Sequence, residues 1–579
     1  MVTPRPLVCP LIAVALVGAC MGNASYPSGS GAGSGGSSGS GATAGSGVAG
    51  SGAGTAGSGS SANLYLPARI RRLTNAEYDA SVQTLLGTTM EPSVKFSFPP
   101  DARQGPANAP AGPAFTLNDA QRVDPVLADK LDTAAQALVT EAHANGKLAA
   151  LSPCASPTSG GEACAKTFVQ SFGAKAFRRP LADDEVTGLV SGATSAYHVG
   201  ADGYTYNDGI DVVTRALLQM PGFLYVTELG LAGAGAMFTL TANEAASSLA
   251  FLLTSGPPDD TLLGNAASGM LATPDGREAE ARRLLGSTAG RARFVRVVRE
   301  WLGIDDVVHR EKAQSVYPDF AGVGASMETE SRAFIDELLT NSTGTLAELL
   351  TADWTIVDAP LAAVYGVTSA GAGKRTSLTG LKRRGILNQA AFLSVFANTN
   401  SSHPVFRGVA IMRRIACLPI KDPGALGIVV SFPAADATKT TRERFQVHST
   451  DAGCASCHMT IDALGFTMEN FDGMGKTRTT ENGKPIDTRV MLAVGSDIDG
   501  TYPDSNELAS ALAQSPSVKT CLARQIFHSS AARSDASIAG AENAFIDIWK
   551  QLPASQQGKL ADVLIAYVRS PLFVDRRAQ

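Results

Sequence analysis

Two stretches of this chain are built to one plan: L-T-N-A-E-Y-D-A-S-V-Q-T-L-L-G at Leu73–Gly87, and L-T-A-N-E-A-A-S-S-L-A-F-L-L at Leu240–Leu253. Each opens with Thr and places Glu three residues later, so each side chain satisfies an amide at a helix start. An apolar series with the 3.6-residue period of a helix follows. In the first, Tyr78, Val82, Leu85 and Leu86 share a face, and Gly87 supplies a stop. The same period predicts helices over Ala120–His143, Cys164–Phe177 (Phe168, Phe172 and Ala176 inward), from Asp183, and over Asp211–Leu224 with a break at Pro221. It continues through Glu278–Leu285, Arg291–Leu302, Met327–Leu339 and Leu346–Leu350. Strand alternation is confined to Ile428–Phe432 and Met491–Val494, enough for one small hairpin. The expected fold is mainly α, a multi-subdomain helical array; 579 residues exceed what one core usually serves.

The first residues bear on location. Arg5 precedes an apolar run, Leu7–Val17, that is too short to span a bilayer as a helix. It ends in V-G-A-C, which resembles a bacterial lipobox and implies cleavage before Cys20 and lipidation of that residue; a plain secretory signal is the other reading. From Pro27 to Ala62 the chain is almost pure Gly, Ser and Ala, a composition too poor in apolar surface to offset ordering entropy. Such a tether reaches roughly 30–35 Å. The expected location is therefore outside the cytoplasm, lipid-anchored at the outer membrane or cell surface, or in the periplasm. A net charge of −5, without Lys/Arg blocks, argues against nucleic acid or anionic membrane surfaces as partners.

Expected boundaries are a signal at 1–20, a tether at 21–62, helical domains at 63–150, 151–230 and 231–370, a domain at 371–480 and a C-terminal helical domain at 481–579. Of eight cysteines, Cys9 and Cys20 fall in the export signal. In an oxidising compartment Cys154 with Cys164, and Cys417 with Cys521, are expected to pair.

The domain at 371–480 contains the one constellation with specific chemistry, G-C-A-S-C-H at Gly453–His458. C-x-x-C-H is the spacing of c-type haem attachment: two thiols add to the haem vinyl groups and the adjacent histidine ligates iron. Cys454 and Cys457 would carry the thioethers of one haem and His458 the iron. A disulfide or redox pair and a metal other than haem stay open, although no second C-x-x-C completes a zinc site. For the distal ligand His448 is the first candidate and Met491 a weaker one. Met459 lies too close to His458, and Met468 and Met474 are further downstream. With no distal ligand the iron would be open to small molecules, and a haem oxidoreductase would follow. Asp462 is expected to cap a turn at Gly465, in a segment read as poor in helix, and Asp472 to pair with Arg478. Asp497–Gly500 is read as a turn, since it lacks a calcium loop's ligand spacing. His403 is read as belonging to a helix-start loop, and Arg178 and Arg179 as anchors between helices. No hydrolase or transferase motif is present, and no catalytic residue is assigned.

Several stretches, in order, carry a resemblance: R-L-T-N-A-E-Y (Arg72–Tyr78), A-F-R-R-P-L (Ala176–Leu181), A-L-L-Q-M-P-G-F-L-Y (Ala216–Tyr225), L-T-A-D-W-T to L-A-A-V-Y-G (Leu350–Gly366), R-R-G-I-L (Arg383–Leu387), S-S-H-P-V-F-R-G (Ser401–Gly408), and the C-x-x-C-H segment with E-N-F-D-G-M-G-K-T-R. The chain resembles a family of exported proteins from planctomycetes and myxobacteria. These are arrays of PSD-type domains of unknown function, often found with a planctomycete-type cytochrome c domain. Ala463, Thr477 and Ala182 depart from the family pattern. The resemblance implies export and an extracytoplasmic role in redox chemistry, with no assigned reaction. Two functions follow: an anchored haem c protein passing electrons between unidentified redox partners, or a non-redox surface scaffold in which Cys454 and Cys457 form a disulfide.

Overall fold

The computed structural model describes residues 64–104, 114–116, 122–152, 161–195, 205–231, 233, 235–420, 433–434, 436–450, 452–533 and 535–578. The lipobox with Cys20, the Gly/Ser tract, Cys154 and the expected strand Ile428–Phe432 lie outside these residues.

Helices dominate, and they begin where the caps say they should. Thr74 and Glu77 close a capping box on the helix Asn75–Leu86, and Thr241 and Glu244 do the same for Ala242–Thr254. With Pro125–Ala144, Glu162–Phe177, Asp183–Ser195 and Tyr206–Leu217, the first helix encloses one apolar core around Tyr78, Leu138, Phe168, Phe172 and Leu217. Arg178, at the end of this bundle's third helix, donates to the carbonyls of Ala176, Gly222, Phe223 and Tyr225 at 2.8–3.1 Å. It therefore anchors backbone, while Arg179 pairs with Glu185 at 2.8 Å.

A second, larger core, built mostly from residues beyond 240, includes Trp301, Phe334, Phe392, Phe471 and Phe527. The helices Thr288–Leu302, Phe320–Asn341, Pro516–Ala531 and Leu560–Arg569 all contribute to it. The Trp301 indole donates to the Arg414 carbonyl at 2.6 Å, fastening the helix Thr288–Leu302 to the segment that precedes Cys417.

Strands are more numerous than the one hairpin expected, but the described pairs are all two-stranded, antiparallel and two to four residues long. Val490–Leu492, which overlaps the expected strand Met491–Val494, pairs with Gly500–Tyr502, where no strand was expected. Two others join distant parts of the chain: Arg69–Arg72 with Tyr225–Glu228, and Met237–Thr239 with Asp575–Arg577. Strands this short display no alternation in the sequence, since contacts between far-separated residues select them.

Candidate functional site

The C-x-x-C-H segment is helical. The helix Ala452–Phe466 runs through the motif and on through Ile461–Phe466, which the sequence suggested would be irregular. Gly465 is inside this helix and makes no turn. A Cβ there would collide with the Pro404 carbonyl, and a Cβ at Gly408 with the Ile461 carbonyl. The two missing side chains let the helices Pro404–Ala410 and Ala452–Phe466 touch backbone to backbone. His403 caps the first of these, its Nδ1 accepting from the Phe406 amide at 3.2 Å while its ring stacks on Phe406. Burial lowers its pKa to about 4, so it is neutral.

At about 100° per residue, Cys454, Cys457 and His458 fall within roughly a third of the helix circumference. Both cysteines are thiols and half-buried. One turn on, Asp462 is buried (4 % exposed) and its Oδ1 is 2.9 Å from His458 Nδ1. A carboxylate at Nδ1 holds the proton there and leaves Nε2 as the lone-pair nitrogen, which is how ligating histidines are oriented. The other carboxylate oxygen lies 3.8 Å from Nδ1 of His448, on the neighbouring helix Thr441–Thr450. Asp462 thus bonds His458 and lies close to His448, and the turn-capping role expected of it does not hold. In a helix, position i+4 from His458 announces this contact; reading the segment as a loop hid it.

His448 is seated against Phe445, ring centroids 5.1 Å apart, and its ring centroid is 4.2 Å from that of His458. An iron between two imidazoles, with bonds of about 2 Å on each side, sets the centroids roughly 6 Å apart. Cys454, Cys457 and His458 are the residues that would hold a haem, while His448 stands beside His458 and not opposite it. Nor does Met491 replace it: Val490 and Leu492 point inward and Met491 is 74 % exposed on the outer face of its strand. Met459 is exposed, whereas Met468 and Met474 are buried in the core. His448, His458 and Asp462 do form a second possible donor set, with ligand atoms all within 4.8 Å of one another.

Behind the helix lies a buried polar group. Arg407 donates to the carbonyls of Met468, Phe471, Asp472 and Leu393 at 2.7–3.2 Å. Glu469 accepts from Ser402 and Arg478, both at 2.9 Å; burial pushes its carboxyl up, against the pull of Arg407 and Arg478. Arg478 thus pairs with Glu469, and with Glu481 at 3.3 Å, not with Asp472 as expected. Asp472 accepts from the Met474 and Lys476 amides at 2.8 Å, an exchange of charge pairing for turn formation. Asp499 accepts the amides of Val494 and Gly495, and Asp497 that of Ser517, so Asp497–Gly500 is a capped turn. Cys417 and Cys521 are joined in a disulfide. Cys164 is disulfide-bonded, and Cys154, its expected partner, lies outside the described residues.

These features define a mainly helical, multi-subdomain protein whose C-x-x-C-H helix is braced by a histidine–aspartate contact. Four domain families match it, each described as a protein of unknown function: PSD3 (DUF1587) over residues 71–144, PSD5 (DUF1595) over 164–228, PSD4 (DUF1592) over 240–367 and PSCyt3 (DUF1588) over 383–481. The chain belongs to the multidomain proteins built from these PSD-type domains. The PSCyt3 match contains the C-x-x-C-H helix and the helix packed on it. No curated protein and no solved structure matches the chain. Among the described residues no helix is long and apolar enough to cross a membrane.

Proposed function

We propose that the protein is an extracytoplasmic c-type haem protein with an electron-transfer role, exported by its N-terminal signal and anchored through a lipidated Cys20. The observation that carries this reading is the placement of two thiols and His458 on one helical face, with His458 Nδ1 held by buried Asp462. Cys454 and Cys457 would hold the haem covalently, His458 Nε2 would face the iron, and Asp462 would fix the ring's orientation and tautomer. A haem so bound supplies a one-electron couple. The name of the PSCyt3 match agrees with this reading. Its partners are the membrane, through the anchor, and redox proteins on the same side.

A second reading rests on the same geometry: His448, His458 and Asp462 bind a single metal ion, and the protein carries no haem. Export from a host with a cytochrome c maturation system separates the two. The haem reading expects a sharp reduced-minus-oxidised α-band, lost in His458→Ala and in the double Cys454→Ser/Cys457→Ser variant. A colourless protein with one stoichiometric metal ion, lost in His448→Ala, supports the second. A colourless, metal-free protein with a Cys454–Cys457 disulfide returns it to a scaffold. In the coloured protein, a Soret shift on adding carbon monoxide reports an open iron; none reports a distal ligand.

A further inference from the structure

A polar cavity of about 100 Å³ opens where the two hydrophobic cores meet, far in sequence from the C-x-x-C-H helix. Its walls come from the strand Arg69–Arg72 and the helix start after it, from the helices Ala242–Thr254, Thr288–Leu302 and Pro516–Ala531, and from the C-terminal strand. The volume holds several water-sized positions and hence a small multiatomic solute.

The charges around it do not balance. Glu228 receives three guanidiniums, those of Arg69, Arg533 and Arg576, at 2.7–2.9 Å. Arg71 has Glu77 at 2.7 Å, and Arg72 has Asp101 at 2.9 Å. Arg293 and Arg296, one turn apart on the helix Thr288–Leu302, both line the cavity, and among the described residues neither makes an ion pair. Arg296 donates to the Ser255 hydroxyl. Arg293 Nε is buried with no hydrogen-bond partner, as is the hydroxyl of Ser248, also in the lining. The remaining carboxylate of the lining, Glu300, accepts from Thr116 at 3.5 Å.

Five arginines of the lining thus face four carboxylates, and Arg293 and Arg296 are the two that make no ion pair among the described residues. Unpaired guanidiniums of this kind are costly to bury, and each unmade hydrogen bond adds to the cost. One bound oxyanion relieves both. Its oxygens accept from two guanidiniums in the fork geometry that suits them and from a hydroxyl.

We propose that this cavity binds a small oxyanion, of the chemistry shared by phosphate and carboxylate groups, between Arg293 and Arg296 with the Ser248 hydroxyl as a third donor. Because both cores supply its walls, the anion braces the N-terminal bundle against the larger body, and binding stabilises the fold by mass action. The site is independent of the haem reading and stands or falls separately.

The test is calorimetric titration of the full chain, in chloride buffer, with inorganic phosphate and separately with succinate, alongside thermal melts at each concentration. At least one probe is expected to bind saturably at a stoichiometry of one and to raise the melting temperature. Arg293→Gln and Arg296→Gln are each expected to weaken binding at least tenfold, and Ser248→Ala to weaken it less. Phosphate alone identifies a tetrahedral anion, and succinate alone a dicarboxylate. If an arginine variant folds poorly, Ser248→Ala and the wild-type melt still decide. Absence of saturable heat and of a melting shift with both probes up to tens of millimolar overturns the proposal, as does binding that Arg293→Gln leaves intact.

Discussion

Glu330 is buried in the larger core and accepts from the hydroxyls of Thr355 and Tyr365, at 2.6 and 2.7 Å. Burial raises its pKa from 4.5 to about 7, only partly offset by those hydroxyls and by Arg383. The folded chain therefore keeps this proton to higher pH than the unfolded chain does. The stability it contributes is complete below about pH 4.5 and is lost as pH rises through about 7. The loss is on the order of 2–3 kcal/mol. Glu330→Gln keeps an acceptor for the hydroxyls and removes the titration. Denaturant melts at pH 5 and pH 8 are expected to differ less for the variant than for the parent. At this scale the sequence was legible where chemistry is local. The C-x-x-C-H letters name Cys454, Cys457 and His458 directly, while Asp462 and Arg478 were misread because their partners depend on whether the segment coils.

Helix meets helix most closely at Gly408 and Gly465, where each backbone fills the space left by the other's missing side chain. This contact sets the position of the helix Ala452–Phe466, and with it the direction in which the thiols and His458 point. Gly465→Ala is expected to destabilise the chain by about 2 kcal/mol or more, since rigid backbone is the obstacle and overpacked cores lose this much. Chemical denaturation measures the loss, and the yield of attached haem should fall in parallel. Legibility at this scale follows the caps. Thr74/Glu77 and Thr241/Glu244 placed two helix starts correctly because a capping box is complete within four residues. The helix through Ile461–Phe466 was missed because Gly465 carries the signature of a turn and is there for packing.

Across the whole molecule, closure comes from links between distant residues: the strand pair of Met237–Thr239 with Asp575–Arg577, and the Cys417–Cys521 bridge spanning 104 positions. The bridge ties the domain with the C-x-x-C-H helix to the C-terminal helices. Chain-entropy reasoning gives a loop of this size about 4–5 kcal/mol. The Cys417→Ser/Cys521→Ser pair is expected to lower the denaturation midpoint accordingly, measured under oxidising conditions with the haem content of both proteins recorded. The mainly helical class was legible from periodicity, whereas the closing strands carry too few residues to leave a pattern. Mass spectrometry of the fragment carrying Cys454 and Cys457, taken from protein exported alongside the c-type maturation machinery, should find one haem bound through both sulfurs. A fragment with two unmodified thiols, or with the sulfurs joined to each other, contradicts the haem reading.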